Sequence, residues 1–371
     1  MTRPIRVLLV DDSRTARATL AAILAREPTL EVVGQAGDGE AAVRMAAALR
    51  PDVITMDLAM PGMGGIEAIS QIMATTPCRI LAVAAVERGL EAGVSFDAIT
   101  AGALELIAKP SGPREGEERP GLPAMHELRA WGDKVVEAIR LMAEIPVVTR
   151  RDRPGQIPRS PARPQPSSRV RAIGIVASTG GPPALAEILA GLPGDFPVPI
   201  LLAQHLMPGF SRGLIDWLSE CTELPVEMAR EGMLVRPGRV YLPPDQCDLE
   251  ISGDGRALVP PTRGGPCPSG DRMLFALARH AGDRAVGVVL TGMGDDGAQG
   301  LLAVRRAGGI TFAQDRESSI VYGMPDAAAK VGAVASVLPL GEIARALGEV
   351  SKVQDRECSR PQGPNEDIEH G

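Results

Sequence analysis

Aromatic side chains are scarce in this sequence, since Phe, Trp and Tyr together make up 2% of its 371 residues. A surface that stacks on nucleobases needs such side chains. The formal net charge of -7 also offers no basic surface to a phosphate backbone. The composition therefore argues against a nucleic-acid partner.

Cysteine is also rare, and its five copies are scattered and odd in number, with no CxxC pair: Cys78, Cys221, Cys247, Cys267 and Cys358. This pattern argues against a disulfide framework or a zinc cluster and favours a reducing compartment. No apolar run reaches membrane-spanning length. The N-terminal run MTRPIRVLLVDD is broken by acids and is too short for a signal peptide. We therefore expect a cytoplasmic protein without direct membrane insertion.

The length predicts about two domains, and the patterns divide the chain accordingly. Residues 1–147 alternate strand-like and helix-like segments, which is typical of a doubly wound parallel sheet. Residues 148–170, VTRRDRPGQIPRSPARPQPSSRV, have the composition of a solvated linker. Residues 171–350 predict a second α/β domain with a mostly parallel sheet, and residues 351–371 a disordered tail.

The apolar runs of the second domain place its strands. Ala172–Ala177, Pro199–Ala203 and Ala285–Leu290 each have strand length, and small residues and a helical pattern follow each of them. Two shorter runs, Arg239–Leu242 and Leu249–Ile251, predict a hairpin. In such sheets the functional crevice lies at the carboxyl ends of the strands.

In the first domain, Asp11, Asp12 and Asp57 fall at strand ends, and Lys109 stands at the end of a further strand before a proline. Clustered carboxylates offer the oxygen ligands that Mg²⁺ prefers. A carboxylate beside a metal and a lysine could accept a phosphoryl group. Taken singly, each acid is equally compatible with an ordinary strand end or turn.

In the second domain, the strand in IGIVASTGGPP ends at Ser178. That serine could turn the chain, help to bind a phosphate at a helix N-terminus or act as a nucleophile. A phosphate loop is disfavoured because no GxxxxGKS pattern is present. His205 and the pair Asp295 and Asp296 follow two other apolar strands, although either could be structural. Ser, His and Asp at three strand ends are the elements of a triad, which is defined by geometry and not by chain order.

The motifs VLLVDDSR, VITMDLAMPGMGG and IAKP resemble the receiver domain of two-component response regulators, over about 5–145. The resemblance implies a flavodoxin-like fold, with Asp57 as the phosphoacceptor, Asp11 and Asp12 as Mg²⁺ ligands and Lys109 as a contact of the phosphoryl group. Two positions depart from the family pattern. Ala84 replaces the usual Thr or Ser, and Leu106 replaces the switch aromatic. We therefore expect phosphorylation whose coupling to output is weakened or differently connected.

The motifs ASTGGP, LLAQHLMPGF, LTGMGDDGAQG and FAQDRESSIVYGMPDAAAKVGAV resemble the catalytic domain of the chemotaxis protein-glutamate methylesterase family, CheB. The resemblance implies that Ser178 is the nucleophile, that His205 is the general base and acid, and that Asp296 orients His205. Asp296 is chosen over Asp295 because the family's aspartate directly precedes the glycine. Thr179 and Met293 would lie beside the nucleophile and its oxyanion site.

The resemblance implies a serine hydrolase that removes methyl esters from glutamates, and deamidates selected glutamines, on helices of methyl-accepting chemotaxis receptors. The chemotaxis histidine kinase would phosphorylate the receiver with Mg²⁺, whereas the esterase reaction would need no cofactor. Two alternatives remain open at this point. One is a signalling scaffold that uses phosphorylation only to bind a partner, and the other is a phosphate- or nucleotide-binding domain built on STGGPP.

Overall fold

The computed structural model describes residues 3–84, 92–110, 125–144 and 170–351. The predicted linker, apart from its last residue, and the predicted tail from residue 352 lie outside these residues. We call residues 3–144 of the described chain the N-terminal unit and residues 170–351 the C-terminal unit. No helix in the described parts has the length and apolar character that crossing a membrane requires.

The N-terminal unit is built on a five-stranded parallel sheet in the order β2-β1-β3-β4-β5. This is the order of flavodoxin-like folds and confirms the predicted doubly wound sheet. Its strands are β1 (Ile5–Val10), β2 (Leu30–Ala36), β3 (Val53–Asp57), β4 (Arg79–Ala84) and β5 (Glu105–Ala108). Strand β3 is buried along its whole length because helices cover both faces of the sheet.

The helices of this unit follow the strands as predicted, with one addition. They are α1 (Arg14–Leu24), α2 (Gly39–Leu49), α3 (Gly65–Thr75), α4 (Ala92–Ala101) and α5 (Met125–Glu144). The Ser13 and Asp38 side chains cap α1 and α2 by accepting backbone N–H groups. Helix α4 was not predicted, because its sequence AGVSFDAITA has no clear division into an apolar and a polar face.

The C-terminal unit is built on a seven-stranded parallel sheet in the order β14-β13-β12-β6-β7-β9-β8. Its strands are β6 (Ala172–Ala177), β7 (Ile200–Gln204), β8 (Val226–Met228), β9 (Val240–Leu242), β12 (Ala285–Val289), β13 (Ile310–Gln314) and β14 (Ser336–Leu338). A separate antiparallel pair joins β10 (Glu250–Ile251) and β11 (Ala257–Leu258). The predicted α/β architecture is confirmed.

The hairpin predicted from Arg239–Leu242 and Leu249–Ile251 is wrong. Strand β9 lies parallel to β7 and β8 within the large sheet, whereas β10 pairs with the next segment, β11. Apolar runs this short do not specify their partners. Tyr241 is fully buried, and the apolar core available to β9 in the large sheet decides its place.

Helices cover both faces of the large sheet. They are α6 (Gly181–Ala190), α7 (Ser211–Cys221), α8 (Gly270–Ala281), α9 (Ala298–Arg306), α10 (Met324–Lys330) and α11 (Leu340–Ser351). Strand β6 lies between β7 and β12, and the chain moves to one side after β6 and to the other after β12. Such a reversal opens a crevice at the carboxyl ends of the strands. The three motifs that contain Ser178, His205 and Asp296 follow β6, β7 and β12.

The two units pack against each other through α4 and α7. The Phe96 ring stacks on Trp217 with centroids 5.8 Å apart and meets Phe210 edge-on at 6.5 Å. The Trp217 Nε1 donates a hydrogen bond of 3.1 Å to Thr100 Oγ1. These contacts bring the end of β5 toward the crevice of the large sheet, where the Ala108 N–H donates to the Met207 sulfur at 3.4 Å.

Candidate active site

Ser178 is placed by the end of β6. Its backbone N–H donates to the Thr291 carbonyl at 3.1 Å, in the loop that follows β12. The chain then turns sharply at Gly180, whose φ of +76 favours glycine, and α6 begins. A Cβ at Gly180 would also lie 2.7 Å from Ile320. The serine therefore lies between a strand end and a helix start, half-buried and on the wall of the crevice.

His205 and Asp296 form a hydrogen-bonded pair beside this turn. The His205 Nε2 lies 2.8 Å from Asp296 Oδ2, and the two side chains are 17% and 6% exposed. The backbone N–H of His205 donates to the Ala177 carbonyl, next to Ser178, at 3.0 Å. Because Nε2 faces the carboxylate, Nδ1 is the ring nitrogen left for a base. No direct hydrogen bond joins Ser178 Oγ to His205 among the described residues.

Asp296 is held at the N-terminus of α8. It accepts hydrogen bonds from the backbone N–H groups of Gly270 at 2.6 Å and Asp271 at 3.0 Å, and from Ser269 Oγ at 3.2 Å. Burial raises the pKa of Asp296, but the hydrogen bonds from His205 and these N–H groups outweigh it and lower the pKa below its usual value. The carboxylate is thus held ionised and aimed at His205. Asp295 is exposed to solvent.

The Ser178–Thr179 turn is braced by residues that the sequence reasoning missed. Thr291 Oγ1 donates to the Thr179 carbonyl at 3.0 Å, and the Thr291 N–H donates to Gln314 Oε1 at 2.8 Å. Gln204 is a second brace. Its Nε2 donates to the Ser178 carbonyl at 2.9 Å and to the His205 carbonyl at 3.0 Å. A polar residue as the last member of a buried strand was the available sequence signal for Gln204 and Gln314.

A cavity of about 770 Å³ joins these groups to the N-terminal unit. From the C-terminal unit its walls include Ser178, His205 and Asp296, together with the predicted neighbours Thr179 and Met293. From the N-terminal unit they include Glu105, Leu106, Lys134 and Glu137. The structure thus brings together all five residues that the sequence placed at this site. It also shows that the N-terminal unit forms part of the wall.

Glu105 of the N-terminal unit lines the cavity beside the Thr179 side chain. Burial raises the pKa of Glu105, while the hydrogen bond from Thr179, that from the Leu106 N–H and the charge of His205 oppose the rise. Sequence reasoning missed this residue because its importance depends on how the two units pack.

The acidic cluster lies at the carboxyl ends of β1 and β3, as predicted. Asp11, Asp12 and Asp57 each offer a carboxylate oxygen, and these oxygens lie within 4.8 Å of one another. Lys109 Nζ lies 2.8 Å from both Asp11 Oδ2 and Asp57 Oδ2. Burial raises the pKa of Asp57 despite Lys109, whereas the two carboxylates outweigh burial and raise the pKa of Lys109. The cluster fits a small divalent cation that prefers oxygen ligands.

The two departures from the receiver pattern have distinct surroundings. Ala84 is buried at the end of β4, and its carbonyl accepts the Lys109 N–H at 2.7 Å. Its methyl group offers no hydroxyl to a phosphoryl oxygen. Leu106 lies in β5 and lines the cavity of the candidate active site. One departure is therefore at the acidic cluster and the other at the boundary between the units.

Family comparisons match both units. Residues 173–347 match the family model described as CheB methylesterase, and residues 7–119 match the response regulator receiver domain. A Myxococcus xanthus protein named protein-glutamate methylesterase/protein-glutamine glutaminase 3 is 50% identical over 363 residues, covering 97% of this chain and 98% of that protein. An Anaeromyxobacter dehalogenans protein with the same activity name, numbered 2, is 44% identical and covers 94% of this chain and 98% of its own length.

Two solved structures from Thermotoga maritima are also similar. The CheB methylesterase catalytic domain is 34% identical with a TM-score of 0.47, covering 49% of this chain and all of that one. The response regulator domain of CheB is 37% identical with a TM-score of 0.33, covering 39% of this chain and 99% of that one. The family matches confirm both resemblances drawn from the sequence motifs.

Proposed function

The chain belongs to the protein-glutamate methylesterase/protein-glutamine glutaminase family and joins that enzyme to a receiver domain, and we propose that Ser178, His205 and Asp296 are its catalytic triad. The observation that supports this assignment is the 2.8 Å hydrogen bond between His205 Nε2 and Asp296 Oδ2, beside the turn that presents Ser178. A carboxylate that holds one ring nitrogen fixes the tautomer in which the other accepts a proton.

The proposed reaction is acyl transfer in two steps. Ser178 Oγ attacks the γ-carbonyl of a glutamyl methyl ester while His205 Nδ1 takes its proton. The same proton then goes to the departing methoxide, and methanol leaves. Water, deprotonated by His205, cleaves the acyl-enzyme to give glutamate and free Ser178. A glutamine amide would follow the same path and release ammonia. Thr179 and Met293 are the proposed neighbours of the oxyanion, which backbone N–H groups would stabilise.

The proposed substrates are glutamates and glutamines on cytoplasmic helices of methyl-accepting chemotaxis receptors, which would place the enzyme in the cytoplasm. The division that goes with this proposal is a receiver domain at 1–147, a linker at 148–170, a methylesterase domain at 171–350 and a tail at 351–371.

For the receiver domain we infer that Asp57 accepts a phosphoryl group from a chemotaxis histidine kinase. Asp11, Asp12 and Asp57 would hold the Mg²⁺, which supplies charge neutralisation for the incoming phosphoryl oxygens. Lys109, placed between two of these carboxylates, would contact the transferred group. The N-terminal unit would cover the active site in the unphosphorylated chain, an idea supported by the shared cavity wall.

Release of methanol from methylated receptor fragments tests the central proposal. The full chain should release methanol, and Ser178→Ala should lose nearly all of this activity, by a factor of about 10⁶ for a nucleophile of this type. Equal activity in the two proteins would exclude Ser178 as the nucleophile. No release by the unmodified chain would instead favour a scaffold that uses phosphorylation only to bind a partner.

A further inference from the structure

Gln204 is buried between the candidate nucleophile and the candidate base. It is the last residue of β7 and is 3% exposed. Its two amide hydrogens point to the backbone carbonyls of Ser178 and His205, with Nε2 at 2.9 Å and 3.0 Å from their oxygens. One side chain therefore holds the backbone of both residues through hydrogen bonds to their carbonyl oxygens.

The hydrogen bond to Ser178 has a consequence for the next peptide group. The Ser178 carbonyl also accepts the Gly181 N–H at 2.7 Å, so two donors fix its direction. In a planar trans peptide the N–H points opposite to the C=O. Fixing the Ser178 carbonyl therefore fixes the Thr179 N–H, which follows the nucleophile. In hydrolases with a serine at a strand-to-helix turn, that N–H is a donor to the oxyanion.

Gly181 leaves the space that the Gln204 side chain occupies. A Cβ at this position would lie 1.9 Å from Gln204 Oε1 and 2.8 Å from the Ala177 Cβ. Gly181 has no positive φ, so its backbone would permit a side chain and only the space forbids one. Of the two glycines in STGG, Gly180 thus permits the positive φ of the turn, and Gly181 leaves space for the Gln204 side chain.

The side-chain oxygen of Gln204, Oε1, is buried and has no hydrogen-bond partner among the described residues. An unpaired buried acceptor disfavours folding. Packing alone would therefore favour an apolar residue of similar size, which would fill this space without an unpaired acceptor and without its loss of folding stability. What the glutamine adds is the pair of donors that orient the two carbonyls.

We propose that Gln204 is a positioning residue, which together with Gly181 orients the Ser178–Thr179 peptide so that the Thr179 N–H faces the developing oxyanion. The inference rests on the proposed function. It adds that the second glycine of the motif and the residue before the histidine act as one unit. Because an oxyanion forms only after attack, the pair should affect the chemical step and leave substrate binding nearly unchanged.

The test compares Gln204→Met and Gly181→Ala in the full chain, with a helical peptide that contains a glutamate γ-methyl ester as substrate. We expect kcat to fall by roughly 10² in each variant, with KM within about twofold of the unmodified chain, since one misdirected oxyanion donor costs this much. The double variant should be no slower than the slower single variant, because both changes remove the same orientation.

Gln204→Glu provides a readout that a loss of packing would not change. Ionised, the carboxylate would repel both carbonyls; protonated, it can donate to one of them. Its kcat relative to the unmodified chain should therefore rise as pH falls. As a stability control, Thr311→Val removes a buried hydroxyl that donates to the Ala333 carbonyl at 2.7 Å, away from Ser178. It should lower the melting temperature without lowering kcat.

This inference would be overturned if Gln204→Met and Gly181→Ala kept the kcat of the unmodified chain. It would also be overturned if these variants only raised KM. Both outcomes are distinct from failure of the proposed function, in which the unmodified chain and Ser178→Ala would have equal activity.

Discussion

The Glu105 side chain of the N-terminal unit lies beside the side chain of Thr179, the residue after Ser178 in the C-terminal unit, on the wall of their shared cavity. A glutamate carboxylate is also the group that the proposed reaction leaves behind. The contact therefore places a side chain of the product's chemical type beside the candidate nucleophile. This position lies within the cavity that a substrate side chain would enter.

Replacing Glu105 by alanine should raise the basal activity of the full chain. At a pH below the raised pKa of Glu105, where the side chain is protonated, the closed arrangement loses a neutral contact with Thr179 worth about 1 kcal/mol, so methanol release should increase by roughly fivefold. Glu137→Ala is the matched control because Glu137 is exposed on the same cavity wall. An equal increase in both variants would mean that the charge of the wall, and not the contact with Thr179, holds the units closed.

The same residue predicts a pH dependence. Burial raises the pKa of Glu105 in the closed arrangement above its ordinary value of 4.5. The closed form then binds the proton more tightly than the open form. The stabilisation of the closed form by protonated Glu105 is complete below the ordinary pKa and is lost as pH rises through the raised pKa. The activity of Glu105→Ala divided by that of the unmodified chain should therefore fall toward one as pH rises. A ratio that is constant with pH would contradict this account.

Phe96→Ala should separate the two units. Phe96 is 1% exposed and lies between Phe210 and Trp217, so its truncation costs about 3–5 kcal/mol of packing. In a Trp131→Phe background the Trp217 emission should shift to the red, and methanol release should rise. Phe275→Ala, at a position 37% exposed on α8, is the control and should change neither. A Trp217 emission that stays unchanged in Phe96→Ala would show that the units remain packed.

Asp296→Asn should lower kcat by about 10⁴ with little change in KM, because an amide can hold His205 in the wrong tautomer. Its neighbour Asp295 is exposed and makes an ideal control. Asp295→Asn should retain nearly full activity in the methanol assay. The reverse result would show that the sequence motif, which places the aspartate before the glycine, selected the wrong acid.

Much of the fold could be predicted because buried parallel strands have short, continuous apolar sequences. Arg79–Ala84 and Ala172–Ala177 were predicted with the bounds that the structure has. Pairing was harder to predict. Strand β9 is three residues long, and nothing in three residues distinguishes a hairpin partner from a place in the large sheet. Its neighbours in the sheet decided that, through contacts that are distant in sequence.

The candidate site also contains residues that the local sequence predicts and residues that it does not. Ser178, His205 and Asp296 each follow an apolar strand, and parallel strands end at one edge, so their convergence followed from local patterns. The roles of Glu105 and Gln204 did not. Glu105 reaches the site only because α4 packs on α7, and Gln204 matters because Gly181 leaves room for it. Both depend on three-dimensional proximity that one sequence does not encode locally.

Phosphorylation of the N-terminal unit and activity of the C-terminal unit should be only weakly coupled in this chain. With Mg²⁺, a small phosphoryl donor such as acetyl phosphate should label the unmodified chain, and Asp57→Asn should not be labelled. Labelling should nevertheless change methanol release little. Ala84 has no hydroxyl that could form a hydrogen bond to the phosphoryl group. Leu106 has no aromatic ring that could change its orientation when the phosphoryl group binds.

Beryllofluoride, a phosphoryl analogue, makes this test quantitative in the full chain. Titrating it with Mg²⁺ should leave the rate nearly flat, whereas in Ala84→Thr, which restores a hydroxyl beside Lys109, the same titration should raise it. Asp57→Asn in either background is the control and should not respond. Strong activation of the unmodified chain that disappears in Asp57→Asn would show that the signal reaches Glu105 and Thr179 by a route that needs neither switch residue.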